Sequence, residues 1–192
     1  MKVSREQAAE NREKILNLAA NMYREKGFDG ISISDLMKTA GLTHGGFYGH
    51  FSSKEDLMAQ ACTRAVDDLL EQGHARQIEH NGDSFVAFIN YYLSLKHRDN
   101  SGTGCLMAAL GCDAARQSPT VRRAFTDNAK RLVSGMKTLL KGRVSEAQVH
   151  QQALVTLASL VGAQVIARAV DDEQLSQEVL RSVAESVLKH EH

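Results

Sequence analysis

Apolar residues recur at helical spacing along nearly the whole chain, and the breaks in that pattern divide it into segments. Ile15, Ala19 and Tyr23 form one stripe with Leu18 and Met22 beside it, which predicts a first helix from about Ser4 to Lys26, ended by Gly27. Phe28, Ile31 and Ile33 follow as anchors, and Leu36, Met37, Leu42, Phe47 and Phe51 complete the apolar set of a small three-helix unit. Ser32 with Asp35 and Ser53 with Asp56 each fit a capping box, and Ala40-Gly41-Leu42 reads as the turn between two helices. From Lys54 through Leu70 the periodicity runs on without punctuation, so the link to the rest of the chain is itself a helix. A rigid connection of that kind passes a displacement from one end to the other.

Beyond the break at Asn81-Gly82-Asp83, Phe85, Phe88, Ile89, Tyr92 and Leu93 predict a helix ending near His97, and Arg98 to Gly102 a loop. Gly104 to Cys112 is a short run of small apolar residues, read as a buried helix. Ser118 then caps a helix with Pro119 at its first position, continuing to Gly142. The segment from about Glu146 to Val170 is apolar on more than one face, and a last helix repeats Leu175, Val179, Val183 and Val187. Two adjacent helices with surplus apolar faces predict a homodimer through a four-helix bundle. Leu154, Ala158, Val161 and Val165 would be its contribution from the first helix, and Leu175, Val179, Val183 and Val187 from the second. The competing reading is that both helices finish an intramolecular core. The fold class is all-α, with about nine helices.

Composition agrees with this and narrows the rest. The 192 residues include one proline and no tryptophan, 43% are hydrophobic, and good helix formers dominate. There is no apolar leader and no apolar run near the roughly 20 residues that cross a bilayer, so the expectation is a cytoplasmic protein with no membrane partner and reduced thiols. A formal net charge of zero argues against a general basic coat for nucleic acid. The distribution says more: from Leu36 to Lys54 there is no acid at all, while Lys38, His44, His50 and Lys54 are present. That window is locally positive and suits an anionic partner.

Gly41-Leu42-Thr43, Gly45, Phe47-Tyr48, His50-Phe51 and Ser53-Lys54-Glu55-Asp56-Leu57 resemble the DNA-binding domain of TetR-family transcriptional regulators. The resemblance is strong over the first third of the chain and holds in outline for the helical remainder. It implies a helix-turn-helix DNA-binding domain over residues 1–53 and a helical effector-binding and dimerisation domain over 54–192. The protein would then be a repressor that binds a palindromic double-stranded operator as a dimer and is released by a small-molecule effector. Carried over by position, Thr43 at the start of the recognition helix would meet a phosphate or a thymine methyl, and Tyr48 and His50 match phosphate-contacting positions. Lys54 would add its charge to a helix N-terminus, with Ser32 and Ser34 acting similarly across the groove. The sequence departs from the common pattern at His44, where Lys or Arg is frequent, and in its glycines. Gly45 and Gly46 belong to the contact surface, and Gly46 and Gly49 loosen the helix, each internal glycine costing roughly 1 kcal/mol relative to alanine.

An effector pocket is placed in the C-terminal part of the chain. Its candidate lining begins with Cys62, Val66, Phe85, Phe88, Ile89 and Tyr92, and continues with Cys105, Met107, Leu110, Arg122, Phe125 and Leu157. That mix favours an apolar or aromatic molecule, with Tyr92 or Arg122 as a polar handle. Cys105 and Cys112 are seven apart, about 10.5 Å of helical rise, and cannot pair within one intact helix; a single reactive thiol at Cys105 stands against plain packing. The eight histidines form no metal pattern, His74 and His80 falling on different helical faces, and no cofactor motif or catalytic cluster is present. An enzyme is therefore not expected. The rival reading is a helical small-molecule-binding or thiol redox-sensing protein that does not read DNA.

Overall fold

A computed structural model describes residues 4–79 and 83–189, with the backbone alone over 74–79. His80, Asn81, Gly82 and the side chain of His74 lie outside the described residues. The described chain is all helical. Helix α1 (Arg5–Lys26) starts where the Ser4 hydroxyl accepts from the Gln7 N–H at 3.1 Å and stops at Gly27, whose φ of 77° suits only glycine. Helix α2 (Ile33–Thr39) opens on a full capping box: Ser32 Oγ accepts from the Asp35 N–H at 3.0 Å, and the Asp35 carboxylate accepts from the Ser32 N–H and hydroxyl. Gly41, at φ 71°, makes the turn that follows.

Two local expectations need correction here. His44–Gly49 forms a 3-10 helix, not an α-helix. Three glycines in six residues remove the propensity that would sustain α geometry, and the tighter, shorter form suffices for a single turn or two. Helix α3 (Lys54–Glu79) is capped by Ser53, whose hydroxyl accepts from the Asp56 N–H at 3.1 Å, but the returning carboxylate of Asp56 is bonded by the N–H and hydroxyl of Ser52 instead.

The helix expected to reach His97 is likewise broken. Helix α4 (Ser84–Tyr92) ends at Leu93, and α5 (Leu95–Asp99) restarts on Ser94, whose hydroxyl accepts from the His97 N–H. The expected loop over 98–102 is the end of α5 plus a 3-10 turn, Ser101–Thr103. Helix α6 (Leu106–Ala114) follows, then α7 (Pro119–Leu139), α8 (Glu146–Ala169) and α9 (Glu173–Lys189).

The apolar residues close into two clusters. Ile15, Tyr23, Phe28, Phe47 and Phe51 begin the first, and it runs on through Leu57 to Leu69 of α3 into Leu106, Leu110, Val121 and Leu132. The second joins Phe85 and Ile89 of α4 to Met136, Leu160, Leu180 and Val187. Arg24 of α1 crosses the first cluster: its guanidinium donates to the carbonyls of Ala20 at 3.0 Å, Ala65 at 3.4 Å and Gly104 at 3.0 Å, and to Asn21 Oδ1 at 2.8 Å. Burial lowers its pKa, with Asp68 acting in the opposite sense.

Candidate nucleic-acid interface and ligand cavity

The 3-10 segment is anchored from behind and open in front. Phe47 is fully buried, stacks on Phe51 at 5.6 Å and takes the edge of Tyr48 at 5.2 Å, which leaves Tyr48 64% exposed. Arg12 of α1 lies over the Phe51 ring at 5.2 Å and hydrogen-bonds Gln60 of α3, so both long helices fix the segment's position. Thr43, His44, Gly45 and Gly49 are exposed with Tyr48, whereas Gly46, His50 and Lys54 are half-buried. Ser34 is exposed at the entry of α2; the hydroxyl of neighbouring Ser32 is already committed to Asp35 in both directions.

The glycines differ in what they face. A Cβ on Gly46 would rest in ordinary contact with Met37 Cε at 3.7 Å and Thr43 Oγ1 at 3.5 Å, while one on Gly45 or Gly49 would meet nothing within 4 Å. None of the three has a positive φ. The fold itself therefore does not require glycine at 45 or 49. The carboxylates flanking the face are tied down by helix starts: Asp35 is held below the usual carboxylate range by the Ser32 hydroxyl, and Asp56 by the Gln60 side chain and the Ser52 N–H. Glu55 is lowered by its own backbone N–H and the Ser53 hydroxyl.

Residues 15–61, which carry this whole arrangement, match the model of the family described as bacterial regulatory proteins, tetR family. Over 172 residues the chain is 26% identical to the HTH-type transcriptional repressor NemR of Escherichia coli K12, covering 83% of this chain and 84% of that one. The chain belongs to the TetR family of transcriptional regulators. This is a family of regulators and not of enzymes. A second relative, the HTH-type transcriptional repressor KstR2 of Mycolicibacterium smegmatis, is 29% identical over 126 residues, 66% of this chain and 53% of that protein. The reduced form of E. coli NemR superimposes with a TM-score of 0.78 at 24% identity, covering 94% of this chain and 96% of that chain. A TetR-family regulator from Cytophaga hutchinsonii gives 0.79 at 19% identity, with 98% of each chain covered.

In this TetR-family chain the second half holds a cavity of about 660 Å³ between α3, α4, α7 and α8. Of the twelve residues suggested by sequence, Phe88, Tyr92, Cys105 and Leu157 stand on its wall. Cys62, Val66 and Leu110 are buried in the first apolar cluster, with Met107 and Phe125 packed against it, and Phe85 and Ile89 belong to the second. Arg122 is exposed away from the cavity. The wall positions that periodicity did not single out come mainly from α7: Arg131, Gly135, Met136 and Leu139. An amphipathic stripe reads alike whether it faces a core or a chamber.

The suggested dimer residues also separate. Leu154, Ala158, Val165 and Leu175 are exposed on the protomer, Val161, Val179 and Val183 are half-buried, and Val187 is buried against the chain's own core. Val155 and Ile166, at 52% and 48% exposure, extend the bare apolar face of α8. The thiols differ in the same way: Cys112 is exposed, while burial pushes the Cys62 thiol up to about 12. Cys105 is buried, and its N–H donates to His97 Nε2 at 3.1 Å. No cluster of metal-ligating side chains occurs among the described residues.

Proposed function

We propose that the chain is a ligand-responsive repressor that binds a palindromic operator as a homodimer. In this reading residues 1–53 read DNA, and residues 54–192 hold the effector and the partner copy. The observation that carries it is the acid-free 3-10 segment facing outward on the same continuous core that supplies the α3 wall of the cavity. Thr43 and His44 read bases, while Tyr48, His50, Lys54 and Ser34 hold phosphates, with the backbone at Gly45 and Gly46 close to the duplex. The relatives NemR and KstR2 are named as repressors, which supports the same sign of regulation here. Filling the cavity shifts the population toward a dimer whose two reading heads no longer match the operator spacing.

The test is a mobility shift on the DNA upstream of the protein's own gene at two salt concentrations. A steep loss of affinity with salt is expected. Tyr48→Phe and Lys54→Ala should weaken binding to all sequences alike, whereas His44→Ala should change which sequence is preferred. No sequence-specific shift at either salt sinks the reading. One observation favours a second, thiol-based mode of release: Cys105 is the one cysteine on the cavity wall, and the matching NemR structure is described as a reduced form. Maleimide labelling separates the modes, because operator release that tracks Cys105 modification requires the thiol, and release by ligand with Cys105→Ser intact does not.

A further inference from the structure

Five buried side-chain polar atoms among the described residues lack a hydrogen-bonding partner: the hydroxyl oxygens of Tyr92, Ser118 and Thr156, Gln164 Oε1 and Arg168 Nη1. Tyr92 alone among them stands on the cavity wall. Its ring is fixed in place. The centroid lies 4.5 Å from that of His97 and 5.7 Å from that of Phe88. Because the Cys105 N–H donates to His97 Nε2, the imidazole proton sits on Nδ1 and is given to the Tyr92 carbonyl at 2.6 Å; Gln164 Nε2 donates to the same carbonyl. A side chain held this way cannot swing to find a partner for its hydroxyl. The neighbouring Cys105 thiol is a weak one. Burial first, and Cys105 second, push the phenol well above its ordinary pKa, so it remains an O–H donor at any physiological pH. A buried donor whose neighbour is a weak thiol is poorly satisfied. The hydroxyl is closed off from solvent, so a ligand in the adjacent chamber reaches it by displacing the packing of Cys105, which lines the same wall.

Charge sets the second constraint. The described wall carries Arg131 and Lys96 but no carboxylate. Arg131 is engaged by Asp67 at 2.5 Å and Asn128 at 3.1 Å, whereas Lys96 is exposed with no acid bonded to it. A cationic ligand would leave water for an apolar chamber with no carboxylate among its described lining to balance it. Phe88, Leu132, Met136 and Leu139 supply the apolar surface for a hydrocarbon or ring body.

We infer that the cavity takes an uncharged or anionic apolar molecule bearing a carbonyl or carboxylate oxygen, with that oxygen accepting a hydrogen bond from the Tyr92 hydroxyl. The inference rests on the proposed role of the cavity as the effector site. It sets a ligand class: acyl carboxylates and apolar ketones belong, and quaternary ammonium amphiphiles do not.

Calorimetric titration of the full-length protein with three probes that share a ten-carbon chain tests it: decanoate, 2-decanone and decyltrimethylammonium. Decanoate and the ketone should bind, with the ammonium at least about tenfold weaker. Tyr92→Phe should weaken both oxygen-bearing probes by about tenfold and leave the ammonium unchanged, a loss on the scale of one buried hydrogen bond. Lys96→Ala should weaken decanoate alone, which tells the carboxylate from the neutral carbonyl. Equal binding of the ammonium, together with operator release by it, overturns the ligand class while the effector site stands. Unchanged affinities in Tyr92→Phe overturn the role of the hydroxyl. If no probe binds and none releases operator DNA, the effector site itself falls and the ligand class with it. The wild-type ranking needs no variant and so does not depend on how Tyr92→Phe folds.

Discussion

Up to residue 91, every buried polar side-chain atom among the described residues has a partner; from Tyr92 onward, five atoms do not. Surface apolarity divides in the same way. Tyr48 is the large apolar side chain left in solvent on the reading head, while Leu95, Leu154, Val155, Val165, Ile166 and Leu175 are left there in the second half. The head is complete as one chain, with the caps of α1, α2 and α3 closed and Tyr23, Phe28, Phe47 and Phe51 packed. The second half has an orphaned hydroxyl beside a chamber and an apolar helix face that its own chain leaves bare, the two deficits that the proposed effector and partner copy would fill. A regulator needs this asymmetry, since a region that is fully satisfied alone has nothing to gain from a ligand or a partner copy.

The contrast can be broken most forcefully from the head. Phe47 is fully buried between Phe51 and Tyr48, so Phe47→Ala should cost about 3–5 kcal/mol and abolish operator binding, as read by urea denaturation and mobility shift. A loss under 1 kcal/mol would mean that the head is looser than described. Ile166→Arg attacks the second half at an exposed position. Protomer stability should move by no more than about 0.5 kcal/mol, while the dissociation constant of the proposed dimer rises by about a hundredfold, because a charge would be stranded in an apolar interface. Sedimentation over a dilution series reads this, and an unaltered dimer would place the interface elsewhere.

Gly49→Ala sharpens the comparison by separating folding from reading. With open space around the added methyl, stability should rise by up to about 1 kcal/mol while operator affinity falls. Unchanged affinity would show that the glycine does not serve close approach to DNA. The smallest effect is titration of the caps. The folded pKa values of Asp35 and Asp56 lie below the unfolded ones, so their stabilisation is present above the unfolded value near about 4 and is lost as pH falls through the folded value. Thermal melts of wild type and Ser32→Ala should differ at pH 7 and converge under acid; a gap that widens under acid would contradict the assigned sign.

What could be read from sequence follows the same division. Ser4, Gly27, the Ser32–Asp35 box and Gly41 each mark a local event in the backbone, and local events leave local signatures. The break between α4 and α5 had one as well, in the pairing of the Ser94 hydroxyl with the His97 N–H, but it lies inside an apolar run with neither glycine nor proline. The glycines of the reading segment signalled a loose helix, but its 3-10 form was not read from them. The cavity was legible only at Phe88, Tyr92, Cys105 and Leu157. Which stripe faces a void depends on the distance between α3 and α7, a property of two helices that no single stretch encodes.

Arg24 bears on how such proteins can be recombined. Its guanidinium reaches from α1 to carbonyls at Ala65 and Gly104, both on the far side of residue 53. A chimera that cuts the chain there and grafts the reading head onto a foreign scaffold takes the cation and leaves two of its acceptors behind. Unless the recipient places carbonyl oxygens at matching points, the graft begins with an uncompensated buried charge. The transferable module therefore extends through the Gly104 turn, and only hybrids that exchange it as one piece keep that contact whole.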